Sequence, residues 1–229
     1  MFLKLNDLFL CKININMKTL MSLVTIVILL SIYGSKNDLN LNFGLNKKES
    51  KQKSILILPL NNGIDEKYMD SALEMLKKEF PEVKIIVGEK TKLPKNCLNY
   101  NESRYRADSI LVFLSDIKPD TIDKVIGLTS SDISTTRTLM VDGETKTYSD
   151  YGILGLGRRP GDVCVVSTYR TKTLETFSKT TIHEFMHTLG VPHCEHKLCI
   201  MQDGKGSGKN MIESTHIHKE CYELAMKGF

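Results

Sequence analysis

The sequence predicts an α/β (α+β) domain: a mixed, mostly parallel, twisted sheet, one helix that carries the chemistry, and a small C-terminal metal-binding subdomain. Three observations predict it. Ile55-Leu56-Ile57-Leu58 is a short, wholly apolar run, the composition of a strand covered on both faces. An amphipathic helical pattern and a second apolar run follow it, the order of a β-α-β unit with parallel strands and a right-handed crossover. Further on, His183 and His187 stand one helical turn apart, on one face of a helix.

The chain of 229 residues has room for one substantial domain. Residues 1–35 read as a leader. The apolar run 20–33, preceded by Lys18 and followed by Gly34-Ser35-Lys36, is short for a membrane span and resembles the core of a signal peptide, with Met17 as a plausible true start. Export to a periplasmic or extracellular location is the favoured expectation, with a retained anchor or a cytoplasmic location as alternatives. Residues 36–54 are polar and read as a linker, and 55–229 as the folded domain.

Along that domain, Asn61-Asn62-Gly63 is a turn. Met69, Leu73, Leu76 and Phe80 recur at helical spacing between Asp65 and Pro81. Residues 83–87 give a second strand and 93–101 a loop. Residues 105–116 read as a helix, and Val125-Ile126-Gly127-Leu128 as a third strand. The Ser-, Thr- and Asp-rich stretch 130–150, with Asp142-Gly143 as a turn signal, predicts an irregular, partly hairpin region. The glycines of 151–157 lack the following helix that a dinucleotide fingerprint needs. Arg158-Arg159 reads as a solvated turn, and 163–167 as another strand. Either 152–156 or 163–167 suits an edge that holds an extended peptide by backbone pairing. Residues 174–189 form the helix of the site, with Ile182, Met186 and Leu189 as its expected core side.

Chemistry concentrates in His183-Glu184-Phe185-Met186-His187-Thr188-Leu189-Gly190-Val191-Pro192-His193. Two imidazoles on one face suit a single Zn2+, and Glu184 beside them is placed to take a proton from water. Gly190 stops the helix, so the chain can turn back and bring His193 as a third nitrogen ligand. Three ligands and one open position make a catalytic rather than a structural zinc site. All six histidines lie between His183 and His218, which weighs against a surface helix with chance histidines.

These residues, continued by Cys194, Cys199 and Met201, resemble the archaemetzincins, a branch of the metzincin metalloproteases. The likeness runs from Ile55 to the C-terminus. It implies a metzincin-like zincin fold and peptide-bond hydrolysis, with aminopeptidase-like action open. It implies a catalytic zinc on His183, His187 and His193, Glu184 as general base and proton shuttle, and Met201 as a packing support in the turn beneath the ligands. It also implies a second, structural zinc in the segment 194–229. The family holds that zinc with four cysteines, and Cys194 and Cys199 match the first pair. The second pair departs: Leu224 stands where the last cysteine would be. His218-x-x-Cys221 has the same internal spacing, so Cys194, Cys199, His218 and Cys221 make an alternative ligand set, with His216 or His196 as replacements for His218. A disulfide between Cys194 and Cys199 is the competing reading. Cys97 and Cys164 read as small core or near-surface residues, with pairing as the alternative in an oxidising compartment.

The expected partner is a peptide or protein substrate, and the expected state a monomer. Formal net charge is +4, of which two charges precede residue 36, so no basic stripe argues for nucleic acid. Tyr148, Tyr151 and Tyr169 are open candidates for assisting the oxyanion. The main rival is a zinc-binding protein of the same fold that binds peptides with little or no turnover; Glu184, dispensable for holding metal, argues against it.

Overall fold

The computed structural model describes residues 52–171, 173–204 and 208–229; the leader, and the linker as far as residue 51, lie outside them. Among the described residues no helix is long and apolar enough to cross a membrane. The apolar run at Ile55 becomes strand β1 (Ser54–Pro59). Helix α1 (Glu66–Glu79) follows, capped by Asp65, whose carboxylate accepts from the Lys67 N–H at 3.1 Å. Strand β2 (Lys84–Val87) then pairs in parallel with β1, as a β-α-β unit requires. A turn of 3-10 helix, the short strand β3 (Tyr105–Arg106) and helix α2 (Ala107–Ile117) lead to β4 (Lys124–Thr129).

Residues 133–153 form the expected hairpin and Asp142-Gly143 turn, but are far more regular than the sequence predicts. They form two long regular strands, β5 (Ile133–Val141) and β6 (Glu144–Ile153), paired antiparallel across the Asp142-Gly143 turn. The alternation of exposed and half-buried residues along β5 sets the strand, and short polar and β-branched side chains are at home on a two-sided ribbon. With β3 they make a three-stranded sheet of their own. Strands β7 (Gly155–Gly157) and β8 (Val163–Ser167) complete the main sheet, whose order is β2-β1-β4-β8-β7. β7 is antiparallel to β8 and lies at the sheet edge. Of the two candidates for the edge, 152–156 overlaps this strand only in residues 155 and 156, with 152 and 153 belonging to β6, and 163–167 is an interior, wholly buried strand.

Alternate side chains of the sheet feed two cores. Ile55, Ile57, Ile126, Leu128, Cys164 and Val166 face α1 and helix α3 (Leu174–Thr188); Val125, Val163 and Val165 face α2. Cys97 and Cys164 are buried free thiols, as expected. α3 differs from the amphipathic reading: every residue from Thr176 to Thr188 is buried, not one side alone. Its polar residues are satisfied locally, Thr180 and Thr181 donating to the carbonyls of Thr176 (2.8 Å) and Phe177 (3.0 Å). Two buried lysines tie it down. Lys124 Nζ donates to the Thr188 carbonyl at 3.1 Å, and Lys179 pairs with Glu175 and donates to the Ser214 carbonyl. The C-terminal segment adds two short helices, α4 (Lys209–Glu213) and α5 (Lys219–Lys227), packed into the α3 core through Met211, Cys221 and Ala225.

Candidate active site

α3 starts at Thr173, whose hydroxyl accepts from the Thr176 N–H at 3.1 Å, and ends in a left-handed glycine cap. Gly190 has φ +86°; its N–H donates to the His187 carbonyl at 2.9 Å, and the Val191 N–H donates to that of Met186 at 3.1 Å. This cap turns the chain back sharply enough to bring His193 against the two helical histidines. Ring centroids lie 4.6 Å apart for His183 and His187, 5.3 Å for His183 and His193, and 4.9 Å for His187 and His193. One nitrogen of each ring lies within 4.8 Å of the others. His183 and His187 are buried and His193 is exposed, so the set opens to solvent on one side.

Hydrogen bonding fixes the tautomers. His183 Nδ1 sits 2.7 Å from the Ile200 carbonyl, and His187 Nδ1 sits 2.8 Å from the Val191 carbonyl. Carbonyls only accept, so both Nδ1 atoms carry hydrogen and both Nε2 atoms are bare. Those Nε2 atoms face each other at 3.1 Å with no proton to share. Tetrahedral Zn–N bonds of about 2.05 Å put two ligand nitrogens about 3.3 Å apart, so the residues present fit the ion. Burial, and then the neighbouring His187, holds His183 down to about 3; burial holds His187 down to about 4 and lowers His193. The rings therefore stay neutral, the form that binds metal.

Glu184 lies against β7. A Cβ on Gly155 would lie 2.7 Å from Glu184 Cγ, and one on Gly157 would lie 2.3 Å from the Glu184 carbonyl oxygen. Only glycine permits an edge strand this close to the helix. Burial raises the Glu184 carboxyl to about 8, against a lowering hydrogen bond from the Gly157 backbone.

Two charged groups of the site were not read as such from the sequence. Asp203, two residues past Met201, bears on all three imidazoles and raises their basicity. No ligand motif flags it; its nearness to Met201 was the available signal. Arg159, exposed as a turn residue should be, opposes it at His187 and His193. Met201 is fully buried, in the same core as Ile182 and Met186. Of the candidate tyrosines, Tyr148 and Tyr151 lie on β6 with their rings in edge contact, centroids 6.1 Å apart, while Tyr169 follows β8 and is exposed.

The second donor set is partly as expected. Cys194, Cys199 and Cys221 are free thiols whose sulfurs lie within 4.8 Å of one another, and no disulfide joins Cys194 to Cys199. Cys199 Sγ accepts from the N–H groups of Met201 (3.4 Å) and His218 (3.3 Å), an environment that suits a thiolate ligand. The His218 ring, expected as fourth ligand, is instead grouped with His196 and Glu220, stacked on His196 with centroids 3.7 Å apart. A stacked ring is held by its neighbour, and no ligand motif encodes that contact. Its Nδ1 is nevertheless buried with no hydrogen-bond partner among the described residues. His216 projects to solvent and bonds to the Thr215 hydroxyl.

Residues 54–223 match the model of peptidase family M54. Archaemetzincin from Methanocaldococcus jannaschii is 31% identical over 132 residues, 58% of this chain and 73% of that one. Archaemetzincin from Haloquadratum walsbyi is 27% identical over 158 residues, covering 62% of this chain and 83% of that protein. The crystal structure of archaemetzincin from Methanopyrus kandleri superimposes with a TM-score of 0.63 at 23% identity, over 79% of this chain and 97% of that one. That from Archaeoglobus fulgidus, complexed with malonate, gives 0.58 at 22% identity, over 75% and 99%. These two structures share the fold.

Proposed function

This chain belongs to peptidase family M54, the archaemetzincins, and from that premise we propose that His183, His187 and His193 hold the catalytic zinc of a metallopeptidase and that Glu184 moves the proton. The observation that carries this is the pair of bare Nε2 atoms at 3.1 Å, on a helix whose Glu184 packs against the edge strand β7. Zinc bound there supplies a Lewis acid that polarises the scissile carbonyl and lowers the pKa of water. The free edge of β7 pairs with an extended peptide and lays the scissile bond against the start of the His183–His187 turn. Glu184 is raised to about 8 by burial, which a zinc charge beside it would offset in favour of the ionised form. In that form Glu184 takes the proton of the attacking water and returns it to the leaving amine.

For specificity we propose action at a free N-terminus. Asp203 supports this: its charge reaches all three histidines, and a substrate ammonium beside it gains a charge-assisted contact. For the second donor set we propose a structural zinc on Cys194, Cys199 and Cys221, completed by His218 through its buried Nδ1, with the ring turning from its stack on His196. Export remains the proposed localisation, on the apolar run 20–33, and a monomer the proposed state.

The test is hydrolysis of paired peptides with free and N-acetylated termini. Activity should vanish with a chelator, return with zinc, and favour the free amine. Equal cleavage of both peptides would remove the aminopeptidase reading, and activity that survives complete removal of zinc would remove the whole proposal.

A further inference from the structure

The two donor sets are joined through one buried stretch of main chain. Cys199, Ile200 and Met201 are 0%, 4% and 0% exposed. Cys199 gives its sulfur to the cysteine set. The next residue, Ile200, gives its carbonyl to His183 Nδ1 at 2.7 Å. Met201 closes the unit from both sides: its N–H donates to Cys199 Sγ at 3.4 Å, and its carbonyl accepts from the Cys194 N–H at 2.8 Å. Cys194 itself follows His193 directly. The Ile200 carbonyl and the Met201 N–H belong to one peptide unit, which is therefore held by His183 at one end and by Cys199 Sγ at the other, while the preceding unit is held by the His216 carbonyl, which accepts from the Ile200 N–H at 2.8 Å. His187 differs, since its Nδ1 partner is the Val191 carbonyl of the helix's own cap.

We propose that the cysteine centre is a positioning device for the catalytic site, with Cys199 acting through the Ile200 carbonyl on His183, so that metal at the cysteines strengthens metal binding at the histidines. This rests on the reading of two metal centres given above. An ion that gathers Cys194, Cys199 and Cys221 fixes where the Cys199–Met201 segment runs. That position sets the distance and angle of the Ile200 carbonyl, hence the orientation of the His183 ring and the basicity of its Nε2. Partners of this kind are worth about 10- to 100-fold in metal affinity. Coupling of binding sites is reciprocal, so metal at the histidines must strengthen the cysteine site by the same factor.

Zinc affinity at the histidine site, measured by chelator competition with elemental analysis, tests this in the full chain and in Cys221→Ala and Cys221→His. Cys221 lies on α5, outside the segment that touches His183. Cys221→Ala should hold one zinc, bound about 10-fold more weakly at the histidines than in the wild type, and Cys221→His should restore both ions and the affinity. A folded Cys221→Ala with wild-type affinity at the histidines overturns the proposal. The second arm does not depend on that variant folding. In His193→Ala, cobalt should bind the cysteines more weakly by the same factor, read from thiolate-to-cobalt charge-transfer absorption; unchanged cobalt affinity overturns the coupling. A wild-type chain that holds a single zinc removes the coupling together with the two-centre reading. Two zincs with independent affinities remove the coupling alone.

Discussion

Replacing Gly157 with alanine probes how closely the substrate edge must approach the catalytic helix. The added Cβ would lie 2.3 Å from the Glu184 carbonyl oxygen and 3.1 Å from His187 Cβ. Carbon and carbonyl oxygen come no closer than about 3.3 Å in ordinary contacts, so β7 and α3 must part by about 1 Å. The collision is with backbone, and no rotamer change relieves it. α3 is buried along its length and tied by Lys124 and Lys179, whereas β7 is an edge strand with one neighbour, so β7 is the element that moves. A displacement of about 1 Å at a reaction centre costs about 100-fold in rate, or about 2.7 kcal/mol of transition-state stabilisation. The assay is kcat/KM on a peptide, with zinc content and Tm on the same preparation. Gly157→Ala should keep its zinc and fold while kcat/KM falls about 100-fold. A zinc-replete variant with kcat/KM near that of the wild type would refute the placement of β7 as the edge that aligns substrate.

Three other outcomes follow from the same structure. In the metal-free chain, burial holds His183 to about 3 and His187 to about 4, while the unfolded chain takes up protons below about 6.5. At these two rings the unfolded state then binds more protons as pH falls, which lowers stability below pH 6.5 by at most about 1.4 kcal/mol per pH unit for each histidine until the folded rings protonate near 4 and 3. Glu184, raised to about 8, offsets one of them down to about 4.5, so the net is a drop. Tm measured after chelation should fall from neutral pH to pH 5, less steeply in His187→Ala; a flat profile would contradict the burial argument. Asp203→Asn should raise KM about 10-fold for peptides with a free N-terminus and leave N-acetylated peptides unaffected; an equal effect on both would show that Asp203 does not meet the amine. His218→Ala should lower zinc from two ions per chain to one, and retention of both would place the fourth ligand elsewhere.

Much of this was legible in the sequence because the signals were local. The apolar run at Ile55, the Asp65 cap, the helical spacing to Phe80 and the stop at Pro81 each reappear as β1, α1 and its ends. The glycine cap at Gly190 and the three histidines are likewise a matter of a few adjacent residues. What was hidden depends on tertiary contact. Residues 133–153 read as irregular because polar and β-branched residues on a two-sided ribbon lack a strong apolar alternation. Ile182, Met186 and Leu189 are core residues as read, but the threonines and Lys179 on the other faces of α3 are buried too, Lys179 against the C-terminal segment, and the apolar pattern does not reveal that. The choice of β7 over β8 as the edge follows from sheet order, which no stretch of chain encodes alone. His218 has the spacing of a ligand, yet its ring is held by a stack on His196. Asp203 carries no motif at all.

The central claim is that Glu184 moves the proton in a site whose metal is held by other residues, and Glu184→Gln tests it most directly. The variant should bind zinc as the wild type does, because the three imidazoles are untouched, and its kcat should fall by about 100- to 10,000-fold, the range for loss of a positioned general base. A Glu184→Gln protein with its full zinc content and wild-type kcat would contradict the account.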